Sequence, residues 1–133
     1  MATNEKYLHS DITNSILQAF YTIVKKFPFG LDLDVYKRAL AVELEFLGLS
    51  VEQDLEVKIH HRQKKVGSFT IDLVVDNSVI VRIIRDEDMG EGNVIEVKNQ
   101  LRFSEYEVCL ILNFVLEGQH RRLVYTNDIK QKD

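Results

Sequence analysis

The sequence predicts an α/β fold of the α+β kind, a sheet with helices packed on it, in the order ααβββαβ(β). Three observations predict it. Helical periodicity fills the first third of the chain, and three strand-like runs then follow with only short turns between them. One further helix-period stretch separates these runs from a nearly continuous apolar run. That order differs from the repeating βα series of a fully parallel sheet. The 133 residues fit one domain, 1–133 with its core at about 10–126, and no repeat, composition shift or Pro/Gly-rich linker divides them.

The first helix is carried by Ile12, Ile16, Phe20, Ile23, Val24 and Phe27, apolar residues at steps of three and four. Ser10 or Asp11 is expected as its N-cap, and Pro28 and Gly30 in KKFPFGLD end it. The second helix has Val35, Leu40, Leu44 and Leu47 among its apolar positions, with Gly48 suited to its C-terminal cap. Strands are expected at 51–60, 66–75 and 79–84. Asp76-Asn77 forms a tight turn between the last two, and the polar stretch 61–65 joins the first two, which makes a β-meander. DEDMGEGN reads as a loop, and Val94, Val97, Leu101 and Tyr106 as a third helix. The apolar run at 108–115 is that of a strand buried on both faces. A short edge strand at 123–126 and a frayed NDIKQKD tail complete the chain.

Composition narrows the class. A chain of this size buries about two thirds of its unfolded surface, so neither disulfides nor a structural metal is needed. The net charge of −4 provides no global attraction to nucleic acid, though a local basic face remains compatible with it. Cys109, the only cysteine, sits in the apolar run VCLIL and reads as a buried core thiol rather than a nucleophile. MATNEKYLHSD lacks the apolar stretch of a signal peptide, and no apolar run approaches a membrane span. A reduced, cytoplasmic protein without a membrane partner is expected.

Gly30-Leu31 followed by Val35-Tyr36, then Ala39-Leu40, Glu43-Leu44 and Gly48-Leu49, form one ordered series. Asp72-Leu73-Val74-Val75 with Val79-Ile80-Val81, Gln100-Leu101 and Asn113-Phe114 continue it. In this order the pieces resemble the GxxExxY protein family, a branch of the PD-(D/E)XK nuclease superfamily, from about Ile12 to about Tyr125. The resemblance implies a nuclease-like core with a mixed sheet. It also implies a site around Asp72, Glu43, Gln100 and Tyr36. Three positions depart from the family. Leu33 stands where the family carries Glu, and Arg82 and Ile84 stand where the strand after Asp72 carries a Glu-x-Lys set.

Those departures are chemical losses. In such nucleases two carboxylates hold Mg²⁺, which polarises the phosphate and activates water, while the lysine stabilises developing charge. Asp72 alone is a poor anchor, and Arg82 places a fixed positive charge where a dication belongs. Arg82 is expected to pair with Asp72 or Glu43, and Ile84 to extend the core. The resulting reading is a catalytically inactive nuclease-fold domain acting as a binding or assembly module, with no metal expected. The partner would be another protein or a second copy of the chain. One alternative is a Mg²⁺- or Mn²⁺-dependent nuclease with Asp72 as a ligand and relocated residues. Arg85 or Lys98 would then supply charge, and Asp86, Glu87 or Glu96 a ligand.

The one dense basic stretch, His60 to Lys65, gives the other alternative, a nucleic-acid binder that does not cleave. His61, Arg62, Lys64 and Lys65 would touch phosphates, joined by Lys25-Lys26 or Arg121-Arg122. The plainer reading is a charged hairpin tip that keeps the turn soluble. Adjacent histidines on a strand face opposite ways and do not chelate one metal together, and His9 and His120 have no evident partner. GEGN lacks the Walker lysine, and the acidic segment around it lacks EF-hand spacing. No nucleophile stands beside a base in any local motif.

Overall fold

The computed structural model describes residues 8–86 and 89–130. Its elements run α1 Ser10–Lys26, α2 Leu33–Phe46, β1 Val51–His61, β2 Lys64–Val75, β3 Val79–Ile84, α3 Glu91–Arg102, β4 Val108–Asn113 and β5 Gln119–Val124, followed by a 3₁₀ turn at Asn127–Ile129. The predicted fold class stands: a five-stranded mixed sheet in the order β1-β2-β3-β4-β5, with helices on both faces. The meander β1–β3 is antiparallel. The crossover through α3 makes β3 and β4 parallel, and β5 returns antiparallel to β4.

The two faces have separate cores. Ile16 and Phe20 of α1 and Leu40 and Leu44 of α2 pack with Leu73, Val81, Leu110 and Leu112. On the other face Val94, Val97 and Leu101 of α3 pack with Ile80, Cys109 and Ile111. All six residues of β4 are buried, as an apolar run covered on both sides requires. Burial pushes the Cys109 thiol above its usual range, so it stays protonated in the core.

Local signals account for most boundaries. Helix α1 ends before Pro28, with Phe27 extended as the residue before a proline must be. Helix α2 closes in a Schellman motif: Leu49 N–H donates to the Leu44 carbonyl, Gly48 N–H to that of Glu45, and Gly48 has φ of 91°. Asp76 and Asn77 both have positive φ, the mirror-image turn that matches strand twist.

Five details depart from the sequence reading. Helix α3 ends at Arg102, and Tyr106 lies in the connection to β4. The N-cap of α1 is His9 in the left-handed region, without a side-chain cap, rather than Ser10 or Asp11. The edge strand falls at Gln119–Val124 instead of 123–126, its first three residues exposed and so without apolar signature. The 61–65 connection shrinks to a two-residue turn at Arg62 and Gln63, both with positive φ, because His61 already pairs with Lys64. The tail is tied down as far as Lys130, whose ammonium donates to the Ser104 and Tyr106 carbonyls at 3.0 and 2.6 Å. The rest of that tail, Glu87 and Asp88 of the acidic loop, and the first seven residues lie outside the described residues.

Candidate active site

Strands β2 and β3 pair from Val75↔Val79 to Leu73↔Val81, and the ladder stops there. Beyond that point β2 continues beside β1 as far as Lys64, and β3 beside β4 as far as Ile84. The sheet therefore forks, and Asp72 stands at the parting. Its Oδ2 accepts the Ile83 N–H at 2.9 Å, a bond that β2 backbone would otherwise make. The pleat is broken here too. Ile71 belongs to the α3-side core and Leu73 to the α1/α2-side core, although residues two apart on a regular strand share a face. On the other edge of β2, beside Asp72, Asp54 of β1 lies in the left-handed region at φ 56°.

Two cations flank Asp72 without binding it. Lys37 of α2 lies on one side, its ammonium 2.7 Å from Asp54 Oδ1 and 3.7 Å from Asp34 Oδ1. The hydrogen bond to Asp54 raises the Lys37 pKa. Arg82 lies on the other side and reaches α3, with Nη1 2.8 Å from Glu96 Oε1. The expected pairing of Arg82 with Asp72 or Glu43 is thus replaced by an ion pair with Glu96. Regular alternation after Val81 turns Arg82 away from the α1/α2 side and toward Ile80, Ile84 and α3. Burial raises the pKa of Asp72 above the ordinary carboxylate value. The Ile83 bond and the charges of Arg82 and Lys37 offset that only in part, and the Asp54 charge adds to it.

Other sequence-predicted residues serve the frame around this point. Tyr36 is buried, stacks on Phe114 with ring centroids 4.5 Å apart, donates its hydroxyl hydrogen to the Pro28 carbonyl at 2.5 Å and accepts the Leu31 N–H at 3.1 Å. Arg85, a candidate replacement cation, donates instead to the Leu31 carbonyl. Asn113 holds the loop after β3: its amide donates to the Asp86 carbonyl at 2.6 Å, and its Oδ1 accepts the Asp86 N–H at 2.9 Å. Leu33 opens α2 with its side chain exposed, and Ile84 is buried against α3. Glu43 is half-buried on α2 and Gln100 buried on α3, and among the described residues no hydrogen bond joins either one to Asp72. Sequence reasoning missed Lys37 and Asp54. Neither carries a signal, since an aspartate in a strand and a lysine on a helix are ordinary until folding brings them together.

The family model described as the PD-(D/E)XK nuclease superfamily matches residues 10–123. This chain belongs to the PD-(D/E)XK nuclease superfamily. No curated protein and no solved structure matches it. Members of the superfamily usually use a divalent metal, and the residues at the fork do not fit one. Mg²⁺ usually takes one or two carboxylates, with waters and phosphate completing a near-octahedral shell. Here one oxygen of Asp72 is bonded to a backbone N–H, burial raises its pKa, and β3 supplies no acid at the opening, only Arg82, Ile83 and Ile84. Among the described residues no group of three His, Cys, Asp or Glu side chains is placed to share an ion. His61, Arg62, Lys64 and Lys65 lie together and exposed at the β1–β2 tip, on the ribbon that extends past the end of the β2–β3 pairing. His120, expected to lack a partner, takes a 2.8 Å hydrogen bond with the Tyr21 hydroxyl.

Proposed function

We propose that this nuclease-fold domain is non-catalytic and works as a binding or assembly module. One observation carries the reading: the Asp72 carboxylate completes the strand ladder through Ile83 N–H, with no acid facing it from β3. A catalytic centre gathers two carboxylates on a dication, and Asp72 has no acid partner on β3 and one oxygen on the sheet backbone. Two of the rescue candidates have other engagements, Glu96 with Arg82 and Arg85 with Leu31. No described helix is long and apolar enough to cross a membrane. With one buried thiol this suits a reduced, cytoplasmic setting.

The test is a calorimetric Mn²⁺ titration with Asp72→Ala as control. No saturable site is expected at millimolar metal in either protein. A site in the parent that disappears in the variant would overturn the reading and make a nuclease assay the next step.

A further inference from the structure

Helix α2 has two apolar faces, and the sheet uses only one. Tyr36, Leu40 and Leu44, spaced by four, are buried. On the opposite side Val35, Ala39, Val42 and Phe46 recur at steps of four, three and four. That is the a/d seam of a helix made to pair with another helix. The seam grows more open along the helix: Val35 is 38% exposed, Val42 68% and Phe46 82%. Single exposed apolar side chains are ordinary on a protein surface. Three exposed ones at seam spacing, with half-buried Ala39 between them at the margin of the core, form a strip.

We propose that this strip is a homodimer interface, in which α2 of one chain packs antiparallel on α2 of a second copy. The charges beside the strip choose the occupant. Arg38 and Glu45 are both exposed and lie on the same flank of the seam. They stand about 10.5 Å apart along the helix, too far to pair with each other. A two-fold axis perpendicular to the helices brings like flanks together. With the axis at the middle of the seam, Val35 of each copy faces Phe46 of the other and Ala39 faces Val42. Arg38 of each copy then lies within about 3 Å, along the axis, of Glu45 in the other. One sequence thereby provides two symmetric ion pairs beside an apolar seam, the self-complementarity that an isologous interface requires. Parallel pairing would instead oppose Glu45 to Glu43 across the seam.

This inference gives the assembly part of the proposed function a surface, and the two fail independently. Sedimentation velocity of the full chain over a concentration series is the test. A monomer–dimer equilibrium is expected, and Phe46→Glu is expected to leave a monomer with an unchanged circular dichroism spectrum, since Phe46 is 82% exposed and contributes almost nothing to the core. Arg38→Glu should raise the dimer dissociation constant about tenfold, and Arg38→Glu with Glu45→Arg in the same chain should restore it. A parent chain that is monomeric throughout would overturn the inference. So would a dimer indifferent to Phe46→Glu, or a double variant as weak as the single. A monomer that binds no Mn²⁺ would leave the non-catalytic reading standing, whereas a dimer with an Asp72-dependent Mn²⁺ site would remove that reading and keep this one.

Discussion

Asp72 is an acid retained in a place that disfavours its charge. Burial raises its pKa more than the Ile83 N–H, Arg82 and Lys37 lower it. A carboxyl whose folded pKa exceeds its unfolded value, about 3.9, stabilises most below that value. The contribution is lost as pH rises through the folded pKa. Asp72→Asn keeps an oxygen that can accept the Ile83 N–H and removes the charge. The variant should therefore unfold at higher denaturant concentration than the parent at pH 7, and the two midpoints should converge near pH 3. Equal midpoints across the range, or a weaker variant at pH 7, would show that the ionised carboxylate is not disfavoured in the fold. The bond to Ile83 was invisible in the sequence. Which backbone group an aspartate meets depends on where two strands part, not on its neighbours along the chain.

At the level of elements, the α1–α2 connection is held by one side chain. Tyr36, in the first turn of α2, binds Pro28 and Leu31 through its hydroxyl and stacks on Phe114 beyond β4. Tyr36→Phe keeps the stack and removes both hydrogen bonds, so a loss of about 1–3 kcal/mol is expected in urea unfolding. A change below about 0.5 kcal/mol would mean that the loop finds other partners. The glycine and tyrosine of this segment were legible as a motif, but their use as a loop clamp was not, because both acceptor and donor are backbone groups. The same limit explains the error over Arg82. Alternation along β3 was readable, and it predicts that Arg82 and Ile84 share a face. That this face belongs to α3 and Glu96 required the packing of the helix.

Across the whole molecule, stability should follow the depth of the sheet. β3 and β4 are central, paired on both edges and covered on both faces. The outer part of the β1–β2 ribbon has pairing on one side only and ends in a turn with two non-glycine residues at positive φ. In native-state hydrogen exchange, the amides of Val81 and Leu110 to Leu112 should therefore exchange slowest, near the rate set by global unfolding. Those from His60 to Val66 should exchange faster by several powers of ten. Uniform protection along the ribbon would indicate a further contact covering it, such as a bound partner.

By itself the sequence determined the element order, the turn at Asp76-Asn77, the glycine cap of α2, the double-sided burial of β4 and the superfamily. The first four are written in short-range signals: apolar period, residues that tolerate positive φ, and proline's missing N–H; the superfamily rests on a resemblance to known members. The edge strand β5 was misplaced because its exposed residues QHR carry no apolar alternation. Only the tertiary structure decided the site. The fork at Asp72 and the Lys37–Asp54 and Arg82–Glu96 pairs join residues from different elements. Their distances arise from how strands diverge and helices settle, which no local pattern encodes.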